Sequence, residues 1–93
     1  GVLFVRKNKF TTGILTDGDI KRISQKNLDF QKVKINSVMK KNPISINKDI
    51  LAAKALEIMN TNRITSLCVH NGKQKNITIG IIHIHNILNA NIS

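Results

Sequence analysis

A chain of 93 residues allows one small domain or a piece of a larger protein, since chains of this size bury only about 60–65% of their unfolded surface. Hydrophobic residues make up 41% and charged residues 22%, which excludes disordered, collagen-like and low-complexity classes. Fifteen Lys and Arg against five Asp and Glu give a net charge of +10, so nucleic acid, anionic membranes and phosphorylated ligands are candidate partners.

The basic residues are spread along the chain in runs no longer than that of Lys40 and Lys41, and twelve of the fifteen are Lys. A nucleic-acid-binding face typically combines clustered Arg with stacking aromatic side chains, whereas this chain has three Phe, no Trp and no Tyr. We therefore expect no nucleic-acid partner and keep a basic nucleic-acid-binding domain as the third alternative.

The single cysteine, Cys68, excludes an internal disulfide, and its apolar neighbours Leu67 and Val69 favour a buried structural thiol in a reducing compartment. No apolar stretch approaches the roughly 20 residues that cross a bilayer, and no signal peptide is visible. These features predict a cytoplasmic chain without a membrane partner. Because the first residue is not Met and an apolar strand follows it at once, we expect a piece of a longer protein.

The first half of the chain alternates short apolar segments with polar turns. Thr16 and Asp19 frame a capping box, which predicts the start of a helix that carries Ile20 and Ile23 inward. The predicted elements are a strand at 2–5, a basic turn at 6–9, a strand at 10–15, a helix from 16 to about 26, a connector at 27–36, a helical turn at 37–41 and a short strand at 44–46.

The second half begins with the clearest helical pattern, at residues 49–60. This helix is predicted to bury Leu51, Ala55, Ile58 and Met59, which recur at helical spacing. The elements predicted after it are a strand at 64–69, a polar turn at 70–75, a strand at 77–82 and a helix at 84–90.

An internal repeat connects the two halves. Residues 13–20 align without gaps with residues 80–87, and residues 2–5 align with residues 66–69. Each copy reads as strand, hairpin, strand, helix. A short strand and the helix at 49–60 precede the second copy, so a whole unit is β-α-β-β-α and the first copy lacks its front half.

This pattern resembles cystathionine-beta-synthase (CBS) domains, which occur as tandem pairs of that unit. The resemblance is carried by Ser37, Val38, Met39 and Pro43 at the start of a repeat, by the helix at 52–59, by residues 64–69 and by the two glycine-led strand ends at Gly13 and Gly80. It implies an α/β (α+β) fold of tandem CBS domains, the first truncated at its N-terminus. The implied division is a half repeat at 1–26, a connector at 27–36 and a complete repeat at 37–93.

Within that superfamily, residues 13–22 are similar to the carboxy-terminal CBS pair of D-arabinose 5-phosphate isomerases, in which a Thr-Asp-Gly-Asp-hydrophobic-Arg-Arg string follows this strand. Residues 80–88 resemble the second repeat of the same family, where a His-x-His-Asp string is common. The resemblance implies a regulatory, ligand-sensing and oligomerisation module. It also implies a sugar isomerase domain in the parent that interconverts ribulose 5-phosphate and arabinose 5-phosphate for lipopolysaccharide or capsule synthesis.

A second hypothesis is a CBS pair of another host: a transporter, a nucleotide-synthesis enzyme or a stand-alone adenine-nucleotide sensor. The residues upstream of Gly1 in the parent would decide between the two hosts. Under either hypothesis we expect a homodimer or higher homo-oligomer, since a half repeat leaves an unpaired sheet edge.

Thr16 and Asp19 are the leading candidates for a binding site. A hydroxyl and a carboxylate at a helix start lie beside the free amides of the first turn, which favour a phosphate, while a carboxylate can accept bonds from a ribose diol. The CBS resemblance implies this pairing and adds Asp17 to the same nucleotide or nucleotide-sugar site. The alternative is a helix cap that needs no ligand, and the two roles can coexist.

In the second repeat the equivalent positions are His83 and Asn86, which lack the hydroxyl and the carboxylate. The resemblance places the wall of this second site around Pro43, Ile44 and Thr65. We therefore expect weak or absent nucleotide binding by these 93 residues, and binding by the full-length protein that depends on Asp19.

No metal, cofactor or catalytic group is predicted. His83 and His85 would share one face of a strand, but no Cys, Asp or Glu lies nearby in sequence to complete a metal site. No nucleophile comes with a plausible base and acid, and no glycine-rich phosphate loop is present. The fragment itself is predicted not to be an enzyme, and the parent to be an aldose-ketose isomerase.

Overall fold

The structure, a computed structural model, describes residues 2–26, 29 and 31–90. The chain divides into two compact units, Gly1–Pro43 and Ile44–Ser93. The sequence-based division at residues 26 and 36 stays a prediction, and residues 27, 28 and 30 of its connector lie outside the described residues. Among the residues described, no helix has the length and apolarity to span a bilayer.

The first unit is a three-stranded antiparallel sheet with one helix of more than a single turn among its described residues. The sheet order is β1-β2-β3, and Asn8 occupies the hairpin turn with a left-handed φ of 58°. The elements are β1 at Val2–Lys7, β2 at Phe10–Thr16, α1 at Asp17–Gln25, α2 at Ile35–Val38 and β3 at Lys40–Lys41.

Helix α1 begins and ends where the sequence predicts, but only part of its apolar pattern is buried. Ile23 lies in the core, whereas Ile20 is exposed, so the prediction that both face inward is wrong for Ile20. The capping box fixes the helix start, but burial of a helical side chain requires a second element on that side.

The second unit combines parallel and antiparallel pairing. Its sheet order is β4-β5-β6, with β4 parallel to β5 and β5 antiparallel to β6. A parallel pair requires a crossover, and α3 supplies it. The elements are β4 at Ser45–Asn47, α3 at Ala52–Asn62, β5 at Ser66–His70, β6 at Gly80–His83 and α4 at Ile84–Ala90.

The core of the second unit lies between α3, α4 and one face of the sheet. Its buried members are Ile46, Ala55, Met59, Leu67 and Ile87. The prediction that Leu51 joins them is wrong, since this side chain is 76% exposed. The helix predicted at 49–60 begins at Ala52, and Leu51 is its N-cap in extended conformation rather than a residue of its apolar face.

The strand pairing confirms the internal repeat. Leu3 pairs with Leu15 in the first unit, and Leu67 pairs with Ile82 in the second. These four positions are related by the same alignment that the sequence gives, so both glycine-led segments are strands that run into helices. The two hairpins therefore have the same register, although the strand bounds 64–69 and 77–82 shift to Ser66–His70 and Gly80–His83.

Candidate functional site

The predicted site residues of the first unit lie where β2 runs directly into α1. Thr16 Oγ1 accepts a hydrogen bond from the Asp19 backbone N–H at 3.2 Å, and the Thr16 N–H donates to Asp19 Oδ2 at 2.8 Å. The Thr16 hydroxyl also donates to Asp19 Oδ2 at 2.9 Å. The helix-capping role is thus confirmed as a reciprocal box.

Asp19 is only 5% exposed, and its second oxygen faces two cations. Arg22 hydrogen-bonds Oδ1 from one helical turn further on, and Lys40 Nζ, on β3, lies 3.7 Å from the same atom. Burial alone would raise the pKa of Asp19, but the bonds from Thr16 and Arg22 and the charge of Lys40 outweigh it and lower that pKa. Asp19 is therefore ionised at neutral pH.

The cations above Asp19 remain accessible, since the side chains of Arg22 and Lys40 are half exposed. A Cβ added at Gly18 would meet Arg22 Nη1 and Thr16 Oγ1 at 3.6 Å, an ordinary contact, so the helix start is not crowded there. Asp17, the first helical residue, is exposed beside them. The arrangement offers an anion two cations and the positive end of a helix.

The second unit repeats this cap with different chemistry. The His83 N–H donates to Asn86 Oδ1 at 2.8 Å, as Thr16 does to Asp19. His83 Nδ1 accepts from the His85 N–H at 3.2 Å, so an imidazole replaces the hydroxyl. The two histidine rings stack, with centroids 4.8 Å apart. The prediction that His83 and His85 share a strand face is wrong because α4 already begins at Ile84.

The remaining predicted residues of the second site lie at the ends of strands. Ile44 precedes β4, and its carbonyl accepts from the Cys68 N–H at 3.1 Å. Thr65 precedes β5, and its carbonyl accepts from the Ile84 N–H at 2.8 Å, which brings Thr65 beside the start of α4. Pro43 is half-buried and belongs to the first unit.

Sequence reasoning did not identify Arg22 and Lys40 as site residues. The spacing of Arg22 three residues after Asp19 was a usable signal, because such pairs meet on a helix surface. Lys40 had no local signal, since it reaches Asp19 only through pairing of β3 with β2.

Two serines of the second unit were also missed. The hydroxyls of Ser45 and Ser66 are buried and have no hydrogen-bond partner among the described residues. Ser45 pairs with Cys68 across the strands, and Ser66 precedes Cys68 by two residues, so both lie on the sheet face opposite Leu67 and the core.

Cys68 is a buried thiol, as predicted. Burial raises its pKa, against a smaller lowering by a hydrogen bond with Thr78, which leaves the protonated thiol dominant at neutral pH. Within the part of the chain that the structure describes, no three His, Cys, Asp or Glu side chains come close enough to hold a metal ion.

Comparison with known proteins identifies relatives over nearly the whole chain. Residues 35–93 match the family model of the CBS domain. The chain is 38% identical over 80 residues to the arabinose 5-phosphate isomerase KdsD of Yersinia pestis, covering 86% of this chain and 24% of that protein. It is 34% identical over 85 residues to KdsD of Escherichia coli K12, covering 91% and 25%. The chain thus spans about a quarter of the length of these relatives.

Solved structures share the fold at lower identity. A CBS-domain protein of Agrobacterium tumefaciens, ATU1752, superposes with a TM-score of 0.84 at 22% identity, covering 99% of this chain and 72% of that one. The CBS pair of MJ0100, in complex with 5'-methylthioadenosine and S-adenosyl-L-methionine, gives 0.82 at 22%, covering 96% and 68%. PAE2072 of Pyrobaculum aerophilum, complexed with AMP, gives 0.81 at 19%, covering 92% and 65%. The predicted fold class is confirmed.

Proposed function

This chain belongs to the CBS domain family, and from that premise we propose that it is the regulatory, ligand-sensing module of a sugar-phosphate isomerase. The support is its similarity to the corresponding quarter of two arabinose 5-phosphate isomerases. The isomerisation of ribulose 5-phosphate and arabinose 5-phosphate is assigned to the remaining part of the parent, in the cytoplasm. The module's own role is to report a ligand to that part.

The proposed ligand is a nucleotide or nucleotide-sugar, bound at the start of α1. The observation that carries this proposal is the buried carboxylate of Asp19 beneath the half-exposed Arg22 and Lys40. A ribose diol would take over Asp19 Oδ1, and the two cations released from it would turn to the phosphate. Thr16 and Asp17 complete this site. The AMP complex of PAE2072 supports the ligand class for this fold.

The second unit is proposed to bind such a ligand more weakly. His83 and Asn86 carry no negative charge for a ribose diol, and both are already used in the cap of α4. Ile44 and Thr65, both of the second unit, would form its wall. An amide is a weaker partner than a carboxylate for two hydroxyl groups.

Calorimetry on the full-length protein with AMP, CMP and the cytidine-linked sugar of the pathway tests the proposal. Asp19→Asn keeps an oxygen for the cap but removes the charge, and should lose about 1.5–3 kcal/mol of binding, roughly 10- to 150-fold in affinity. Asp49→Asn, an exposed carboxylate in the second unit, is the matched control and should bind as wild type. Equal affinity in all three proteins would leave Asp19 as a helix cap alone.

We also propose that the module forms a homodimer. The outer edge of β1 has no neighbouring strand among the described residues, and Leu3 on that strand is exposed. Such an edge is usually paired or covered. Sedimentation that finds only monomer at tens of micromolar, about the concentration at which a modest interface assembles, would contradict this.

A further inference from the structure

The cap of α4 depends on an imidazole in one protonation state. His83 Nδ1 accepts a hydrogen bond from the backbone N–H of His85, so this nitrogen carries no proton. Oxygen acceptors of ordinary helix caps keep their lone pairs at all moderate pH values, but an imidazole takes up a proton in the range of about pH 5 to 8. The acceptor at the start of α4 is therefore an atom that can bind a proton, unlike the oxygen acceptor of an ordinary cap.

We propose that His83 is a pH-sensitive cap, and that its protonation at Nδ1 releases the first turn of α4. Protonation converts the acceptor into a donor facing the donor N–H of His85. It also places a positive charge at the positive end of the helix, which is unfavourable. Both effects act in the same direction, so the start of α4 loosens as pH falls through the range in which the imidazole titrates.

Among the described residues, the contacts of the His83 side chain include no carboxylate that would hold an imidazolium. The ring of His85 stacks on that of His83, with centroids 4.8 Å apart. On β5, Ser66 pairs with His83, while Cys68 and His70 are buried. The charged side chains of α3 that the structure pairs are Lys54 and Glu57, which bond each other at 3.4 Å. No ion pair joins either histidine within the described residues.

The equivalent cap of the first unit lacks this sensitivity. Thr16 has no basic nitrogen, and the lowered pKa of Asp19 keeps its carboxylate ionised throughout the range in which an imidazole titrates. The two caps share the bond from the N-cap N–H to the side chain three residues later, but the N-cap acceptor is a hydroxyl oxygen in α1 and an imidazole nitrogen in α4. Acid therefore acts on α4 and leaves α1 unchanged, which makes α1 an internal control.

Loosening of α4 reaches the core of the second unit. Ile87 lies in the turn that follows the cap and is buried with Met59 and Leu67. Ile84 packs against the same cluster and donates its N–H to Thr65. A change in proton concentration is thereby transmitted to the contact between α4 and the sheet, which gives the module a second input besides a ligand.

Hydrogen exchange measured by mass spectrometry on the full-length protein, corrected for intrinsic rates, tests the proposal between pH 8 and 5. Peptides covering 84–88 should lose protection about five- to tenfold towards pH 5, the size expected for loss of a cap, and peptides covering α1 should not. In His83→Thr, which places the acceptor of α1 in α4, protection should be independent of pH. If His83→Thr does not fold, His83→Asn replaces it in the same measurement. His85→Gln should keep most of the pH effect.

A pH dependence that survives in both His83 variants would overturn the proposal, as would equal protection of α4 at pH 8 and pH 5 in the wild type. Because the readout needs no ligand, failure here is distinguishable from failure of the proposed nucleotide site. A pH effect that disappears in His85→Gln but persists in His83→Thr would assign the effect to His85 instead of His83. That result would also reject the proposal.

Discussion

Equivalent leucines in the two units have opposite environments. Leu67 on β5 is fully buried, whereas Leu3, its counterpart on β1, is 62% exposed. Ile87 on α4 lies in the core, whereas Ile20, its counterpart on α1, is 40% exposed. The difference is α3, whose buried residues pack against Leu67 and Ile87, and which has no counterpart among the described residues of the first unit. The burial of an apolar side chain is thus decided by the neighbouring element and not by the strand or helix that carries it.

The helix caps show the reverse relation. In both caps the N-cap N–H donates to the side chain three residues later, although Thr16 and Asp19 are replaced by His83 and Asn86. The N-cap side chain also accepts a backbone N–H in both, from Asp19 at the third position in α1 and from His85 at the second in α4. A cap requires only an acceptor at the N-cap and another three residues later, so several residue types satisfy it. A cap can therefore form with different side chains. The replacement of these side chains makes the two caps differ in charge and, as proposed above, in their response to pH.

The largest expected difference is between the two leucines. Leu67→Ala should destabilise the chain by about 2–5 kcal/mol, because it opens a cavity under α3, whereas Leu3→Ala should change the stability of the monomer by less than about 0.5 kcal/mol. Urea unfolding followed by circular dichroism measures both. Equal losses of stability in the two variants would show that Leu3 is buried in solution, and would contradict the difference in environment between Leu3 and Leu67.

The two repeat glycines give the next effect. A Cβ at Gly13 would clash with Met39 Sδ and lie 2.8 Å from its Cγ, whereas a Cβ at Gly80 meets nothing within 4 Å. Gly13→Ala should cost about 1–3 kcal/mol as Met39 is displaced, and Gly80→Ala should be neutral. Thermal melts of the two variants check this. A stable Gly13→Ala would mean that Met39 moves aside freely.

The caps should differ in their dependence on pH. Asp19→Ala should cost about 1 kcal/mol at neutral pH. Because the pKa of Asp19 is lowered from 3.8 in the folded chain, its contribution is complete above the unfolded value and is lost as pH falls through the folded one. The cost of Asn86→Ala should stay constant over that acid range. Denaturant titrations at pH 4 and 2.5, both below the range of the proposed His83 response, distinguish the two, and parallel profiles would contradict the ionised cap.

The ion pairs give the smallest effect. Arg22 pairs with the buried Asp19, whereas Lys54 and Glu57 pair on an exposed helix surface. Arg22→Ala should cost about 1 kcal/mol because it leaves a buried carboxylate with fewer partners. Lys54→Ala should stay within about 0.5 kcal/mol, as exposed pairs do. Added salt should reduce the second effect more than the first, and the opposite order would argue against burial of Asp19.

The sequence determined the features that depend on neighbours along the chain. The spacing of Thr16 and Asp19 predicted the cap and the start of α1, and the alignment of residues 13–20 with 80–87 predicted two hairpins in one register. Hydrogen bonds of caps and alternation in strands are formed within a few residues, so the local pattern is sufficient to predict them.

Only the tertiary structure decided which of these elements have another element packed against them and which side chains meet at the candidate site. Leu51 has the helical spacing of a core residue but lies outside the helix and is exposed, and Ile20 lies inside its helix but is also exposed. Lys40 stands 21 residues from Asp19 and reaches it only because β3 pairs with β2. Contacts between residues distant in the chain depend on how whole elements pack, and a single sequence contains no local signal for them.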